Sequence, residues 1–423
     1  MKFYPFVFAL LLNLNLMYAQ QPYQLYFGNL HSHTSNSDGQ LTPYDAYVFA
    51  RDSAGLHFLA VTDHLDQLSS SEYQQMQAQA AATTVQGSFT SIFGYEWSSP
   101  YYGHINVFNT TEMPSILTYS DWSGFRSWML ARPQAFAMFN HPGDEDYFNN
   151  WYDFEYKGAA TDTSFPLLEV QNVQQATDWY EFALNEGWHL SPVWNQDNHQ
   201  ANWGNKNEGR AGVWATDITV SSLFHAMRAG RTFATMDKNA SVWIDVFGHP
   251  MGLTLPRYQN MPFRILLNDA ENEPYQTVEL VTNNGVIMSF APQGNIDTII
   301  PLTLYTDMYV FVRAIQADGD YLWSGPVYFQ GLVTDVPSLG DAVCNLYPNP
   351  ASEYFNVSLS DSRQERIKIV VSDITGKTLM EHFAETVPGQ TLHVPLTKNI
   401  KGFVTVSITT SERIYYRKLF VVE

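Results

Sequence analysis

The stretch Leu25-Tyr26-Phe27-Gly28-Asn29-Leu30-His31-Ser32-His33-Thr34-Ser35-Asn36-Ser37-Asp38 joins an apolar, aromatic run to two histidines and an acid. The run reads as a short strand that ends at the histidines. On extended chain His31 and His33, two residues apart, leave the same face. Two imidazoles aimed at one point, followed by an Asp in a Ser-rich turn, suit a transition-metal site far better than an apolar core.

The same rhythm of strand, polar tip and helix recurs downstream. Thr42 caps and Pro43 opens a helix over 43–53. An apolar strand at 57–61 ends on Thr62-Asp63-His64, a Gln- and Ala-rich helix covers 72–84, and a strand at 89–95 delivers Glu96. Further strands are expected at 105–108 after His104, at 135–139 before Asn140-His141-Pro142, at 167–170, at 189–193 before Asp197 and His199, and at 213–215. Helices are expected at 175–185 and 220–229. The alternation predicts an α/β body over residues 21–239 with a parallel or mostly parallel sheet, open or closed into a barrel. Its polar clusters fall at the carboxyl ends of strands, where ligands bind in such folds.

After residue 239 the helices stop. Strands separated by turns such as Asn283-Asn284-Gly285 and Asp318-Gly319-Asp320 predict a small β-sandwich over 240–330. A linker rich in Gly, Pro and Ser follows over 331–343, and a second small all-β unit over 344–423, with a turn at Asp373-Ile374-Thr375-Gly376-Lys377. Both β units read as scaffold or carriage rather than chemistry.

The 423 residues suffice for two or three domains, and 45% hydrophobic and 15% aromatic content supports filled cores. Asp and Glu number 42 against 22 Lys and Arg, a net charge of -20, which opposes attachment to nucleic acid or to anionic membrane. No stable nucleic-acid partner is expected. Residues 1–19, with Lys2, the apolar run Phe6-Val7-Phe8-Ala9-Leu10-Leu11-Leu12 and Ala19, read as a signal peptide too short to be a membrane span, so no transmembrane segment is expected in the mature protein. Cys344 is the single cysteine, which rules out an intramolecular disulfide.

Collected from the strand ends, the candidate ligands are His31, His33, Asp38, His64, Glu96, His104, His141, Asp197 and His199. Nitrogen and carboxylate donors without a thiolate favour Zn, Mn or Fe, and nine ligands are too many for one ion. The set, with its His-x-His at 31–33, Thr62-Asp63-His64, Glu96 and Asp-x-His at 197–199, resembles the PHP (polymerase and histidinol phosphatase) metallohydrolases over roughly residues 24–239. The resemblance implies a distorted seven-stranded (β/α) barrel with two or three divalent ions. One ion would lie among His31, His33, Glu96 and Asp197. A second would be bridged by Glu96 to His104 and His141, and a third held by Asp38, His64 and His199.

It also implies a phosphoesterase that uses a metal-bound hydroxide, with Glu96 and Asp197 central to the chemistry and a small-molecule phosphate ester or other hydrolysable ester as substrate. Arg210 is the candidate anion-orienting group, since its planar donor fork suits a phosphate. Arg228 and Arg231, near a helix C-terminus, read as structural. Carbamate, ester or amide hydrolysis on the same cluster stays open, because the loops carry aromatic residues (Trp97, Tyr101, Tyr102, Tyr147, Trp151, Tyr152, Trp194, Trp203) that either pack the wall or grip an organic group. A surface binding protein with a structural metal is a third reading. The tail, from Asn345-Leu346-Tyr347-Pro348-Asn349-Pro350 to Lys418-Leu419-Phe420-Val421, resembles a Bacteroidota type IX secretion sorting domain. That implies export through the periplasm to the surface or medium, with the secretion machinery as partner.

Overall fold

The computed structural model describes residues 23–115, 117, 119–145, 148–332, 344–359, 365–373, 378–387, 391–397, 399–409 and 414–422. The expected signal peptide, the linker beyond residue 332, residues 374–377 of the expected turn and Tyr147 lie outside them. Contacts divide the chain into a unit Gln20–Val333 and a C-terminal unit from Thr334.

The first unit begins β1 (Gln24–Asn29), α1 (Pro43–Asp52), β2 (Phe58–Val61), α2 (Ser70–Thr83), β3 (Thr90–Ser99), β4 (Gly103–Phe108), α3 (Trp122–Leu130) and β5 (Phe136–Asn140). It continues α4 (Asn150–Phe154), a single left-handed turn, then α5 (Ala159–Ser164), β6 (Leu167–Val170), α6 (Val173–Gln175), α7 (Glu181–Asn185), β7 (Ser191–Trp194), β8 (Arg210–Ala215), α8 (Val220–Arg228) and β9 (Thr232–Thr235). A π-helical segment, Ala176–Tyr180, joins α6 to α7. The first two helices start where their sequences say. Thr42 and Asp45 cap each other's backbone N–H groups at α1, and Ser69 and Glu72 do the same at α2.

The strand order runs β9-β8-β1-β2-β3-β4-β5-β6-β7. The sheet is mixed rather than mostly parallel: β1-β2-β3 and β5-β6-β7 are parallel, while β3-β4-β5 and β1-β8-β9 are antiparallel. The cause at β3–β4 is loop length, because the three residues Pro100, Tyr101 and Tyr102 permit a hairpin but not a crossover. The sheet curls around an inner core that includes Ala60, Ile92, Met138, Leu167 and Val193, packed with Phe224 and Met227 of α8. Its end strands β7 and β9 approach through Thr232 Oγ1, which donates to Ser191 Oγ at 2.7 Å, with no backbone ladder between them among the described residues. The outer face is covered by a larger, aromatic core. In it Phe139 of β5, fully buried, touches the rings of Trp122, Trp151, Phe154, Phe165 and Trp188.

Ten strands follow: β10 (Ser241–Val246), β11 (His249–Pro250), β12 (Thr254–Arg257), β13 (Met261–Asn268), β14 (Tyr275–Thr282), β15 (Gly285–Phe290), β16 (Ile296–Leu302), β17 (Met308–Gln316), β18 (Tyr321–Ser324) and β19 (Val327–Leu332). The four strands β11-β10-β13-β16 form one antiparallel sheet. The others extend the first sheet, because β18 pairs with β9 in the register Leu322↔Thr235 and Ser324↔Phe233. Two sheets therefore enclose a shared apolar core containing Val242, Ile244, Ile265, Leu280 and Val312. Residues 331 and 332, expected at the start of the linker, are the end of β19.

The C-terminal unit has β20 (Cys344–Tyr347), β21 (Tyr354–Leu359), β22 (Glu365–Ser372), β23 (Thr378–Thr386), β24 (Leu392–Pro395), β25 (Gly402–Thr409) and β26 (Ile414–Val421). Sheets β20-β21-β24 and β23-β22-β25-β26 bury alternate residues, among them Phe355 and Val357, Ile367 and Ile369, and Val404 and Val406.

Candidate metal centre

All nine candidate ligands come together at one end of the curled sheet. His31 and His33 follow β1, His64 follows β2, Glu96 sits on β3, His104 on β4, His141 after β5, and Asp197 and His199 after β7. Glu96 shares the inner face of β3 with Ile92, so the core beneath fixes its direction. Its Oε1 lies 3.1 Å from His31 Nε2, 3.3 Å from His104 Nδ1 and 3.5 Å from His141 Nε2; its Oε2 lies 2.8 Å from His64 Nδ1 and 3.5 Å from His33 Nε2. Asp197 Oδ1 is 3.0 Å from His33 Nε2 and 3.3 Å from His31 Nε2. Asp38 Oδ1 is 3.2 Å from His199 Nε2.

Three compact donor groups result: His31, His33 and Asp197; His31, Glu96 and His141; and His33, Asp38, His64 and His199. The grouping differs from the expected partition in sharing His31 and His33 between groups, and His104 touches Glu96 without entering any of the three. The donors fit metal ions. Glu96 Oε2, Asp197 Oδ1 and His141 Nδ1 are buried without a hydrogen-bond partner, although nitrogens or oxygens crowd around the two carboxylate oxygens. His31 Nε2 and His33 Nε2 face each other at 3.1 Å. Lone pairs converging without aligned donors cost free energy unless a cation lies among them.

The backbone is bent to serve this convergence. Two candidate ligands have positive φ, His141 at 24° and Asp197 at 43°, a conformation that persists only where its surroundings enforce it. For Asp197 the enforcement is visible: Lys206 Nζ donates to Gln196 O at 2.7 Å, Gln196 Nε2 donates to Asn207 O, and His33 N–H donates to Asn198 O at 3.0 Å.

Several further groups support the candidate ligands, and of these Glu169 belongs to no motif. Glu169, fully buried at the end of β6, accepts from His31 Nδ1 at 3.0 Å and from the His141 N–H at 3.0 Å, and so orients two candidate ligands at once. Its sequence signal was only a buried-strand acid. Asp63, fully buried, accepts from the Thr34 N–H, from Thr34 Oγ1 and from Ser37 Oγ, which pins the turn before Asp38. Asn140 Nδ2 donates to Glu96 Oε1 at 2.7 Å. Glu169→Gln keeps the shape but removes the charge facing His31, and metal affinity is expected to fall about 10- to 100-fold. Competition with a chromogenic chelator measures this, and unchanged affinity would contradict the role.

A cavity of about 460 Å³ opens onto the centre, lined by His64, Asp66, Glu96, Ser98, Pro100, His104, His141, Asp144, Glu145, Phe148, Asp197 and His199. Arg210 is not among them. It is 6% exposed and donates from Nη1 to the carbonyls of Asn207 and Gly209. Arg228 donates to the carbonyls of Pro133 and Gln134, and Arg231 to that of Trp214. Of the loop aromatics, Trp97, Trp151, Trp194 and Trp203 are buried wall, whereas Tyr101 and Tyr152 are exposed.

In the metal-free chain, burial pulls the His141 pKa down, but the Glu96 hydrogen bond and the charges of Glu169, Glu96 and Asp197 carry it up to about 9. Burial also disfavours charge on His31, yet Asp197, Glu169 and Glu96 raise it well above the usual range. Burial pushes Glu96 up, and His31 and His104 hold it well below the carboxylate range. An ion must displace the imidazole protons, so loading with Zn2+ at neutral pH is expected to release protons and to tighten as pH rises toward 9. A pH-stat titration tests this; uptake without proton release would contradict it.

Residues 345–423 match the family model of the secretion system C-terminal sorting domain. No curated protein matches the chain by sequence. Among solved structures, the chain is similar to a two-domain protein of Bacteroides vulgatus ATCC 8482 containing a predicted PHP-like metal-dependent phosphoesterase (15% identity, 73% of this chain and 95% of that one, TM-score 0.44). It is also similar to the lesion-specific endonuclease EndoQ of Pyrococcus furiosus (12% identity, 48% and 56%, TM-score 0.34) and to fibronectin(III)-like modules of Clostridium thermocellum CbhA (16% identity, 42% and 93%, TM-score 0.20). None is similar enough to carry an activity over to this chain.

Proposed function

We propose that residues 21–239 are a metal-dependent hydrolase of PHP type, built on a distorted (β/α) barrel. Residues 240–330 act as an accessory β domain, and 344–423 as a type IX sorting tail. The observation that carries the reading is the crowding of five histidines around the two oxygens of one buried carboxylate, Glu96. His31, His33, Asp38, His64, Glu96, His104, His141, Asp197 and His199 would hold two or three Zn, Mn or Fe ions. When bound, these supply a water of lowered pKa and a positive field at the reacting centre. Glu96 sets the spacing of the donor groups, Glu169 and Asn140 hold His31 and Glu96 in orientation, and Pro100 and Phe148 offer apolar contact to a substrate's organic part.

A phosphoester is the first substrate class. The runner-up, a neutral ester or carbamate, has its own support: among the described residues no Lys or Arg lines the cavity, while Asp66, Asp144 and Glu145 do. Metal-reconstituted protein screened against phosphomonoesters, phosphodiesters, carboxyl esters and carbamates decides between them. No turnover of any class by loaded protein would overturn the hydrolase reading. Deleting residues 344–423 is expected to leave the remainder in the periplasm; fractionation that finds it still released would contradict the role of the tail.

A further inference from the structure

The end of the curled sheet opposite the histidines opens into a second cavity, of about 290 Å³. Pro166 stands there just before β6, His189 and Leu190 before β7, and Arg228 and Gly230 before β9, whereas the candidate metal ligands gather beyond the carboxyl ends of β1, β2, β5 and β7. Thr254 of β12 and Tyr328 of β19 complete the wall from the β-strands that follow.

Arg228 is the one Lys or Arg of this wall among the described residues. Its Nη1 donates to the carbonyls of Pro133 and Gln134, both at 3.0 Å, which fixes the plane of the guanidinium. Elsewhere in the chain Arg51, Arg132 and Arg264 each turn the paired Nε and Nη2 donors onto one carboxylate, of Asp52, Glu112 and Asp297 respectively. On Arg228 the same two donors meet no partner among the described residues, although the chain has 42 acids for its 22 Lys and Arg. Burial pushes the Arg228 pKa down, and no carboxylate offsets it.

A facing side chain is fixed as well. Asp162, 8% exposed, accepts from the His189 backbone N–H and from its Nδ1, each at 2.8 Å. The imidazole rests on the Tyr328 ring, with centroids 4.2 Å apart. Nδ1 thus gives its proton to the Asp162 bond, while Nε2 has no partner among the described residues and donates when the ring is charged.

We infer that this cavity binds a small organic oxyanion, a carboxylate or a phosphate monoester, held between the Nε–Nη2 edge of Arg228 and Nε2 of His189. The planar fork of an arginine anchored at its other nitrogen matches two oxygens of such an anion and is already oriented to receive them. Pro166, Leu190 and Pro326 offer apolar contact to the rest of the ligand, and the volume is at the small end for ligand pockets. The single acid of the wall, Asp162, is engaged by His189, so it does not repel the anion as an unpaired carboxylate would. The site is separate from the metal centre and takes the charge type that the acid-lined cavity there does not favour.

The test uses Zn-loaded full-length protein freed of excess metal, with 4-fluorobenzoate as the probe, followed by fluorine NMR, and inorganic phosphate as its competitor. Saturable binding is expected with a Kd of about 1 mM or tighter. Displacement by phosphate supports the site with a phosphate ester as its natural class, and binding of the benzoate without displacement supports it with a carboxylate. Arg228 is exposed, so its variants are expected to fold. Arg228→Gln should weaken binding at least about 10-fold, and Arg228→Lys, which keeps the charge but loses the fork, should fall between it and the parent. His189→Gln should weaken binding at least about 3-fold. Glu96→Gln, at the metal centre, should leave it unchanged. Absence of saturable binding, binding that either Arg228→Gln or His189→Gln leaves intact, or binding that disappears in Glu96→Gln would each overturn the site.

Discussion

Glu96→Gln is expected to lose hydrolysis by well over about 100-fold and to bind less metal, while remaining folded. The reference point is that removing a group that only orients a ligand costs about 10- to 100-fold, and Glu96 is itself the common neighbour of the donors. Its oxygens face His31, His104 and His141 on one side and His33 and His64 on the other, and the neutral amide retains the volume but withdraws the charge. The substituted amide also presents N–H donors where ring nitrogens must stay free for an ion. Metal analysis of the purified variant together with single-turnover assays on the best substrate checks both parts. Full metal content with near-normal activity would remove Glu96 from the centre of the site. Arg210→Ala offers a contrast, since Arg210 does not line the cavity and braces the 207–210 segment from a buried position.

The largest expected effect on stability belongs to Phe139→Ala, at about 3 to 5 kcal/mol. Phe139 is fully buried, with ring centroids of Trp151, Trp188, Phe154, Phe165 and Trp122 at 4.6, 5.1, 5.2, 5.3 and 6.1 Å. Five large rings cannot close over the space that truncation leaves, so the cavity cost adds to the lost burial. The position also matters for function, because the next two residues are Asn140, bonded to Glu96, and His141 with its positive φ. Chemical denaturation of the variant should show a lower midpoint at an unchanged slope, and metal affinity should fall with it. A loss below about 1 kcal/mol would mean the aromatic cluster repacks freely, against the usual rigidity of such cores.

Much of the site was legible because its signals are local. A histidine two residues from another on extended chain, an acid at the tip of an apolar strand, or a Thr before Pro at a helix start needs only its neighbours to be read. Those signals marked the eight residues of the three donor groups, and His104 beside Glu96, together with part of the succession of strands and helices through residue 229; the helix Trp122–Leu130 was not among them. They also marked the edges of α1, where the Thr42 and Asp45 side chains complete the cap.

What the tertiary structure alone decided depends on pairings between distant residues. Glu169 is an unremarked acid in a four-residue strand until β6 lies beside β5 and β7 and brings it 3.0 Å from His31, 138 positions away. The sheet is mixed because a three-residue loop turns β4 back on β3, and it continues past residue 239 because β18 finds its partner in β9. Asp237, Asp269 and Gln316 look like ordinary loop acids and a strand-end amide in the sequence, and only the stacking of those strands buries them near one another. Periodicity and capping act over a few residues and so survive in one dimension, whereas register between strands and the burial of charge arise only once the chain has closed on itself.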